Sequence, residues 1–451
     1  MLPRNQLYYF FIALFFVSIS SSYSQNGFDI PGKQSDKIKF NLVNNLIIIP
    51  LELNGIELSF LLDTGVSKPI LFNITNTDSL QIKNVETIFL RGLGGGESIR
   101  ALKSRNNFVK IGKAININQD VFVVFDQKIN FTPRLGVPVH GIIGYDIFKD
   151  FIVEINYKSK FIRLNKPESY RYRPCRKCEI FELAFYNYKP YINARVETNS
   201  STQNVKLLID TGSTDALWIF ENDSLGLVPN KNMQFDDFLG RGLSGNVYGK
   251  RSRINALEIG SYRLEDVNAA FPDSTSISFA RKIEDRNGSI SSEILRRFNL
   301  IFDYPNSKIT LRKNANFKTP FKYDRSGIVL EQRGLIVVKE KFNDQTYNTY
   351  NSKNSSTNTV SNNVLYKYKI EPAFTIVEIR KGSPADKIGL KINDIILSIN
   401  GKLTHTMSLQ EAMEFFQDRP NKNVRILIDR NNNKRRFQIK LENPFKPKKL
   451  P

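Results

Sequence analysis

Two Asp-Thr-Gly triplets, Asp63-Thr64-Gly65 and Asp210-Thr211-Gly212, carry the most chemistry in this chain. Each sits between apolar runs. Phe60-Leu61-Leu62 precedes the first and Pro69-Ile70-Leu71-Phe72 follows it; Leu207-Leu208-Ile209 precedes the second and Ala216-Leu217-Trp218-Ile219-Phe220 follows it. A carboxylate in apolar company is costly unless donors stabilise it. Needing the arrangement twice points to two carboxylates that meet. Such a pair cannot ionise fully, so it shares one proton near neutrality and offers an acid and a base side by side.

The elements that must position them repeat. The triplets are 147 residues apart, and the same offset links Phe151, Tyr157 and Leu164 to Phe298, Tyr304 and Leu311. Arg91-Gly92-Leu93 matches Arg241-Gly242-Leu243, and Ile111-Gly112 matches Ile259-Gly260, with small drifts that loop insertions allow. One unit is thus read twice, over about 36–170 and 180–315, as a body with a pseudo-twofold axis. Leu42 to Leu53 and Val205 to Ile209 are short apolar runs rich in branched residues, punctuated by turn residues, as strands require. Gly92 to Gly96 and Gly240 to Gly245 suit hairpin tips. Ile142 to Phe148 and Ile290 to Phe298 read as short helices. Both units are expected to be all-β.

The paired triplets resemble those of the aspartic peptidases, and the resemblance covers both units. It implies that Asp63 and Asp210 are catalytic, one taking a proton from water and the other protonating the oxyanion. Thr64, Gly65, Thr211 and Gly212 would support the active loops. The family threads an apolar-apolar-Gly segment behind each loop. Gly141-Ile142-Ile143-Gly144 fits that pattern; Gly288-Ser289-Ile290-Ser291 departs from it at two serines. Gly94, Gly95, Leu243 and Gly245 are the flap candidates. Two similar flaps on lobes of about 130 residues resemble the retropepsin type, fused in one chain, more than pepsin. Asp146 and Glu293 occupy equivalent places after the threading segments, where ion-pair or helix-start roles are expected.

A third unit closes the chain, over 322–445. Strand-like Ser326 to Leu330 and Leu335 to Lys339 precede a polar stretch from Asn343 to Asn363 that suits a flexible insertion. Gly382-Ser383-Pro384-Ala385, Gly389-Leu390, Asp394-Ile395-Ile396 and Ile399-Asn400-Gly401 follow. Ser408 to Gln417 has helical periodicity, and a hairpin turns at Asn431 to Asn433. This series resembles a bacterial PDZ domain, a partly open β-barrel with one or two helices. The resemblance implies a groove between Ile328 to Glu331 and the Ser408 helix. Ser326, Gly327, Ile328 and Ser408 would bind a peptide by its C-terminus.

At 451 residues the chain is long enough for about three domains. Arg4 followed by apolar Leu7 to Ile19 and small Ser20 to Ser24 reads as a signal peptide over 1–24, hence a secreted or periplasmic protein. No later run is long enough to span a membrane. The net charge of +21 comes from scattered Lys and Arg without a binding motif, so no nucleic-acid partner is expected. Cys175 and Cys178, the only cysteines, read as a local disulfide or free thiols. With His140 and His405 the only histidines, neither a metal nor another cofactor is expected. The expected function is a monomeric aspartic endopeptidase acting on protein or peptide substrates. The alternative is a non-catalytic peptide clamp carrying a PDZ interaction module.

Overall fold

The computed structural model describes residues 27–73, 80–126, 129–283, 285–342 and 365–445. The expected leader and the polar stretch Asn343 to Asn363 lie outside these. The protein is mostly β. Its first eight-stranded sheet runs Asn41–Val43, Leu46–Leu53, Ile56–Leu62, Gly141–Ile143, Ile70–Leu71, Ala114–Val124, Ile99–Ile111, Val85–Leu90. The second runs Ala184–Tyr186, Lys189–Glu197, Thr202–Asp210, Arg286–Ser291, Leu217–Ile219, Tyr262–Pro272, Gly245–Ile259, Phe235–Gly242. Strand for strand, the two orders are the same.

Local sequence explains the bends. Asn44 and Asn45 adopt left-handed φ of 48° and 71°, and Asn54-Gly55 adopts 49° and 88°. Both pairs suit tight two-residue hairpins whose central residues need positive φ. The run Leu42 to Leu53 is therefore a turn and two strands rather than one. The helices are shorter than expected, Tyr145–Phe148 and Ser292–Leu295, because Ile142, Ile143 and Ile290 belong to the buried threading strands. A short apolar run buried on both sides has no periodicity to separate strand from helix. Three further helices lie at Thr132–Leu135, Pro384–Lys387 and Leu409–Glu414.

The lobes join through a six-stranded sheet in which Ile152–Asn156 pairs antiparallel with its repeat mate Phe298–Asp303. One apolar core runs through both lobes, including Phe148, Phe151, Phe298 and Phe302. Cys175 and Cys178 form a disulfide at the start of the edge strand Cys178–Glu182 of that sheet. The C-terminal unit has its own core, with Ile328, Ile376, Ile396, Phe416 and Ile426 in it. Its main strands run Ile328–Phe342, Leu365–Ile379, Ile395–Ile399, Asn423–Arg430 and Asn433–Lys440. Ser408 and Glu411 cap the Leu409–Glu414 helix reciprocally.

Candidate active site

Each Asp stands at the end of a strand whose inner neighbour threads behind it. Gly141–Ile143 lies parallel to Ile56–Leu62 and antiparallel to Ile70–Leu71, and the Asp63 N–H donates to the Ile143 carbonyl at 2.8 Å. In the second lobe Arg286–Ser291 lies parallel to Thr202–Asp210 and antiparallel to Leu217–Ile219. The Tyr145 N–H reaches the Val66 carbonyl at 3.1 Å, and its repeat mate, the Ser292 N–H, reaches Ser213 at 3.1 Å. Gly288-Ser289-Ile290-Ser291 thus threads as its counterpart does, despite its serines. Glycine is needed at the first position of both segments. A Cβ on Gly141 would lie 2.4 Å from the Phe60 ring, and one on Gly288 would lie 1.9 Å from the Trp218 carbonyl oxygen. At the last position Gly144 is constrained by the Asp63 carbonyl, 1.9 Å from its would-be Cβ, whereas Ser291 is fully buried in an extended conformation.

The lobes meet at the triplets. The Thr64 N–H donates to Thr211 Oγ1 at 3.0 Å, and that hydroxyl donates to the Leu62 carbonyl at 2.8 Å. The mirror pair is as tight: the Thr211 N–H reaches Thr64 Oγ1 at 3.1 Å, and that hydroxyl reaches the Ile209 carbonyl at 2.6 Å. Both threonines are buried, so these four bonds tie the two loops across the pseudo-twofold axis without competition from water.

The carboxyls then face one another. The Gly65 N–H donates to Asp63 Oδ1 at 2.6 Å and the Gly212 N–H to Asp210 Oδ1 at 2.9 Å. A Cβ on Gly212 would lie 2.3 Å from the Asp63 carboxylate, and one on Gly65 3.6 Å from Asp210 Oδ1. Gly212 is therefore what lets the second loop approach Asp63, whereas a Cβ on Gly65 would meet Asp210 only at ordinary contact distance. Desolvation pushes the Asp63 carboxyl up to about 7, and the neighbouring Asp210 charge adds to the rise; the Gly65 N–H and Lys189 oppose it. Asp210 is also raised by desolvation, against the Gly212 N–H, Arg286, Lys189 and the Ser213 N–H. Both carboxyls are thus held above the ordinary aspartate value, chiefly by burial.

The cations near the acids were not singled out in the sequence. Lys189 opens the strand Lys189–Glu197, which pairs with the Asp210 strand Thr202–Asp210, and its charge acts on both acids. The corresponding strand of the first lobe, Leu46–Leu53, opens with buried Leu46 instead. Burial pulls the Lys189 ammonium below its usual value, with Arg286 adding to the fall. The signal in the sequence was the Lys following the Asn187-Tyr188 hairpin turn, where the first lobe has Leu after Asn44-Asn45.

The two hairpin tips interlock. The Gly96 N–H donates to the Ser244 carbonyl at 2.8 Å, the Ser244 N–H to Leu93 at 3.0 Å, and the Gly94 N–H to Ser276 at 3.0 Å. A Cβ on Gly94 would lie 2.5 Å from the Ser244 carbonyl carbon, and one on Gly242 2.2 Å from the Leu93 carbonyl oxygen. The tips also trade leucines. Leu243 packs against the first lobe's cluster around Phe72 and Ile142, and Leu93 against the second lobe's around Trp218 and Phe220. Gly95 and Gly245 have open space beside them. Ser276 is the tip contact that sequence reasoning missed.

Asp146 and Glu293 are engaged with neighbouring cations. Asp146 is buried beside Lys68 at 3.4 Å and Lys149 at 3.5 Å and accepts from Gln119 at 3.1 Å. Glu293 lies 3.9 Å from Arg297, and desolvation raises it to about 7. Among the described residues no cluster of three His, Cys, Asp or Glu side chains could hold a metal ion, and no helix is long and apolar enough to cross a membrane.

Comparison with known families matches two stretches of the chain. Residues 49–147, which contain Asp63 and its threading strand, match the family model described as aspartyl protease. Residues 375–430 match the model described as PDZ domain. The chain therefore carries a retropepsin-like aspartyl protease domain and a C-terminal PDZ domain. No curated protein matches it.

Proposed function

We propose that the chain is an aspartic endopeptidase whose two carboxyls come from one polypeptide, so that a monomer is active. The observation that carries this reading is the approach of Asp63 and Asp210 across interlocked threonines, with Gly212 leaving room for the Asp63 carboxyl. With one proton on the pair, the ionised carboxylate removes a proton from a water as its oxygen bonds to the scissile carbonyl carbon. The protonated partner gives its proton to the developing oxyanion. Collapse of the tetrahedral diol then breaks the C–N bond as a proton passes to the leaving amine. The interlocked tips support a lid that admits an extended substrate by parting and excludes water by closing.

Export to the periplasm or the exterior is part of this proposal, and it rests on the N-terminal residues Arg4 and Leu7 to Ile19. The experiment is a peptide-library digest from acid to neutral pH with wild type, Asp63→Asn and Asp210→Asn, alongside titration with a pepstatin-type inhibitor. Cleavage lost in both variants is expected. Inhibitor or peptide binding without turnover in wild type would favour the clamp instead.

A further inference from the structure

The expected peptide groove of the PDZ domain is not vacant. Its amide loop, Ser326-Gly327-Ile328, is buried, and its donors are spent inside the domain. The Ser326 N–H reaches Asp324 Oδ1 at 3.1 Å, the Gly327 N–H donates to the same oxygen, and Ser326 Oγ reaches Asp324 Oδ2 at 3.0 Å. The remaining Ile328 N–H donates to Ser326 Oγ at 3.1 Å. The Asp324 carboxylate thus stands where a peptide's terminal carboxylate would have to bind.

The other end of the groove is closed by the protease domain. The helix Thr132–Leu135 and Gly136 of the first lobe lie against both groove walls. Arg134 Nε donates to Glu331 Oε1 on the strand wall at 3.2 Å. Gly136 is so close to the helix wall that a Cβ there would lie 2.9 Å from Leu409 Cβ and 3.3 Å from Gln332 Oε1. Beside it, the Asn44 N–H donates to Gln410 Oε1 at 3.2 Å. The Arg325 N–H bonds Phe416 at 2.9 Å, so the helix runs from this closed end back to the amide loop. At about 3.3 Å per residue, a peptide leaving the loop would meet the turn after roughly three residues.

The same contacts reach the flaps. Leu135 and Val139 pack in the cluster beneath the first flap with Ile88, Leu90, Ile99 and Leu243. Arg134 also stacks on the ring of Phe238, 4.3 Å away, in the strand Phe235–Gly242 that leads to the second flap tip. Arg380 of the PDZ domain covers Phe235 at 4.5 Å, and Tyr248 donates to Glu378 at 3.3 Å.

We infer that the PDZ groove is an intramolecular docking surface, whose partner is the first lobe's 131–136 turn and whose amide loop is filled by Asp324. The domain takes no free peptide C-terminus in this state and instead braces both flap hairpins. An external ligand gains access to the strand and helix walls of the groove by displacing that turn.

Two measurements on the full-length chain test this. Hydrogen exchange is followed by mass spectrometry over 131–137 and 326–332 in wild type, Arg134→Glu, Glu331→Arg and the double charge swap. Each single variant is expected to raise exchange at least tenfold in both segments, and the swap to restore it to within about threefold. Fluorescence anisotropy then compares a labelled random pentapeptide pool ending in free Val with the same pool amidated. Wild type is expected to show no preference for the free acid. Unchanged exchange at 326–332 in both single variants, or a tenfold preference of wild type for the free acid, would overturn the inference. Neither readout uses peptide cleavage, so the inference fails or stands apart from the catalytic reading.

Discussion

Replacing Thr211 by Val removes one hydroxyl at almost constant shape, and the structure fixes what that hydroxyl was doing. It accepts from the Thr64 N–H at 3.0 Å and donates to the Leu62 carbonyl at 2.8 Å, both in the other lobe. Thr64 and Thr211 are 1% and 0% exposed, so water has no path to replace either bond. Each buried polar group left unpaired costs about 1–3 kcal/mol, which makes the loss for two such groups about 2–6 kcal/mol. Thr211→Ser keeps the hydroxyl and gives up one methyl, a loss of about 1 kcal/mol. Urea denaturation of the two variants separates these figures. Because the lost bonds cross between the lobes, Thr211→Val is also expected to lower kcat at least about tenfold through displacement of Asp210 from Asp63. A Val variant no less stable than the Ser variant would refute the reasoning, because the cross-lobe bonds would then carry no net stability.

Other outcomes follow from the charges and the bridge. Asp63 is raised from 3.8 to about 7, so the folded state binds its proton more tightly than the unfolded chain. Its ionisation therefore costs stability as pH rises from about 4 through about 7, by on the order of 4 kcal/mol in all. Asp63→Asn should gain thermal stability over wild type across that window, and pH-dependent melting curves that run parallel would contradict it. Lys189 holds both acids down, so Lys189→Leu should move both limbs of the pH–rate profile to higher pH. An unshifted profile would show that Lys189 does not act on the pair. Cys175→Ser/Cys178→Ser opens a loop of sequence separation 3 at the sheet edge and should lower the unfolding free energy by at most about 2 kcal/mol. Its cleavage rate should match wild type in the same digest.

Much of the architecture was legible because symmetry makes one observation confirm another. The 147-residue offset of the triplets survives as matched hydrogen bonds, Thr64 with Thr211 and Val66-Tyr145 with Ser213-Ser292. The β class was legible from short branched runs between turn residues. The short helices were overextended because Ile142, Ile143 and Ile290 are apolar on every side, which leaves no period to read. The serines of the second threading segment suggested a looser fit, yet the constraint at that place is backbone clearance, which Ser291 meets and Gly144 meets only without a Cβ. Lys189 was missed because symmetry directs attention to what matches, and it is where the lobes differ. The docking of Arg134 and Gly136 on Glu331 and Leu409 joins residues nearly two hundred or more apart, and no local pattern carries such a contact.

The central claim is that Asp63 and Asp210 act as one unit, and the peptide-library digest with each acid changed separately to Asn tests it most directly. Wild type should cleave, and Asp63→Asn and Asp210→Asn should each lose cleavage while still folding. Wild-type turnover in either variant would contradict the account.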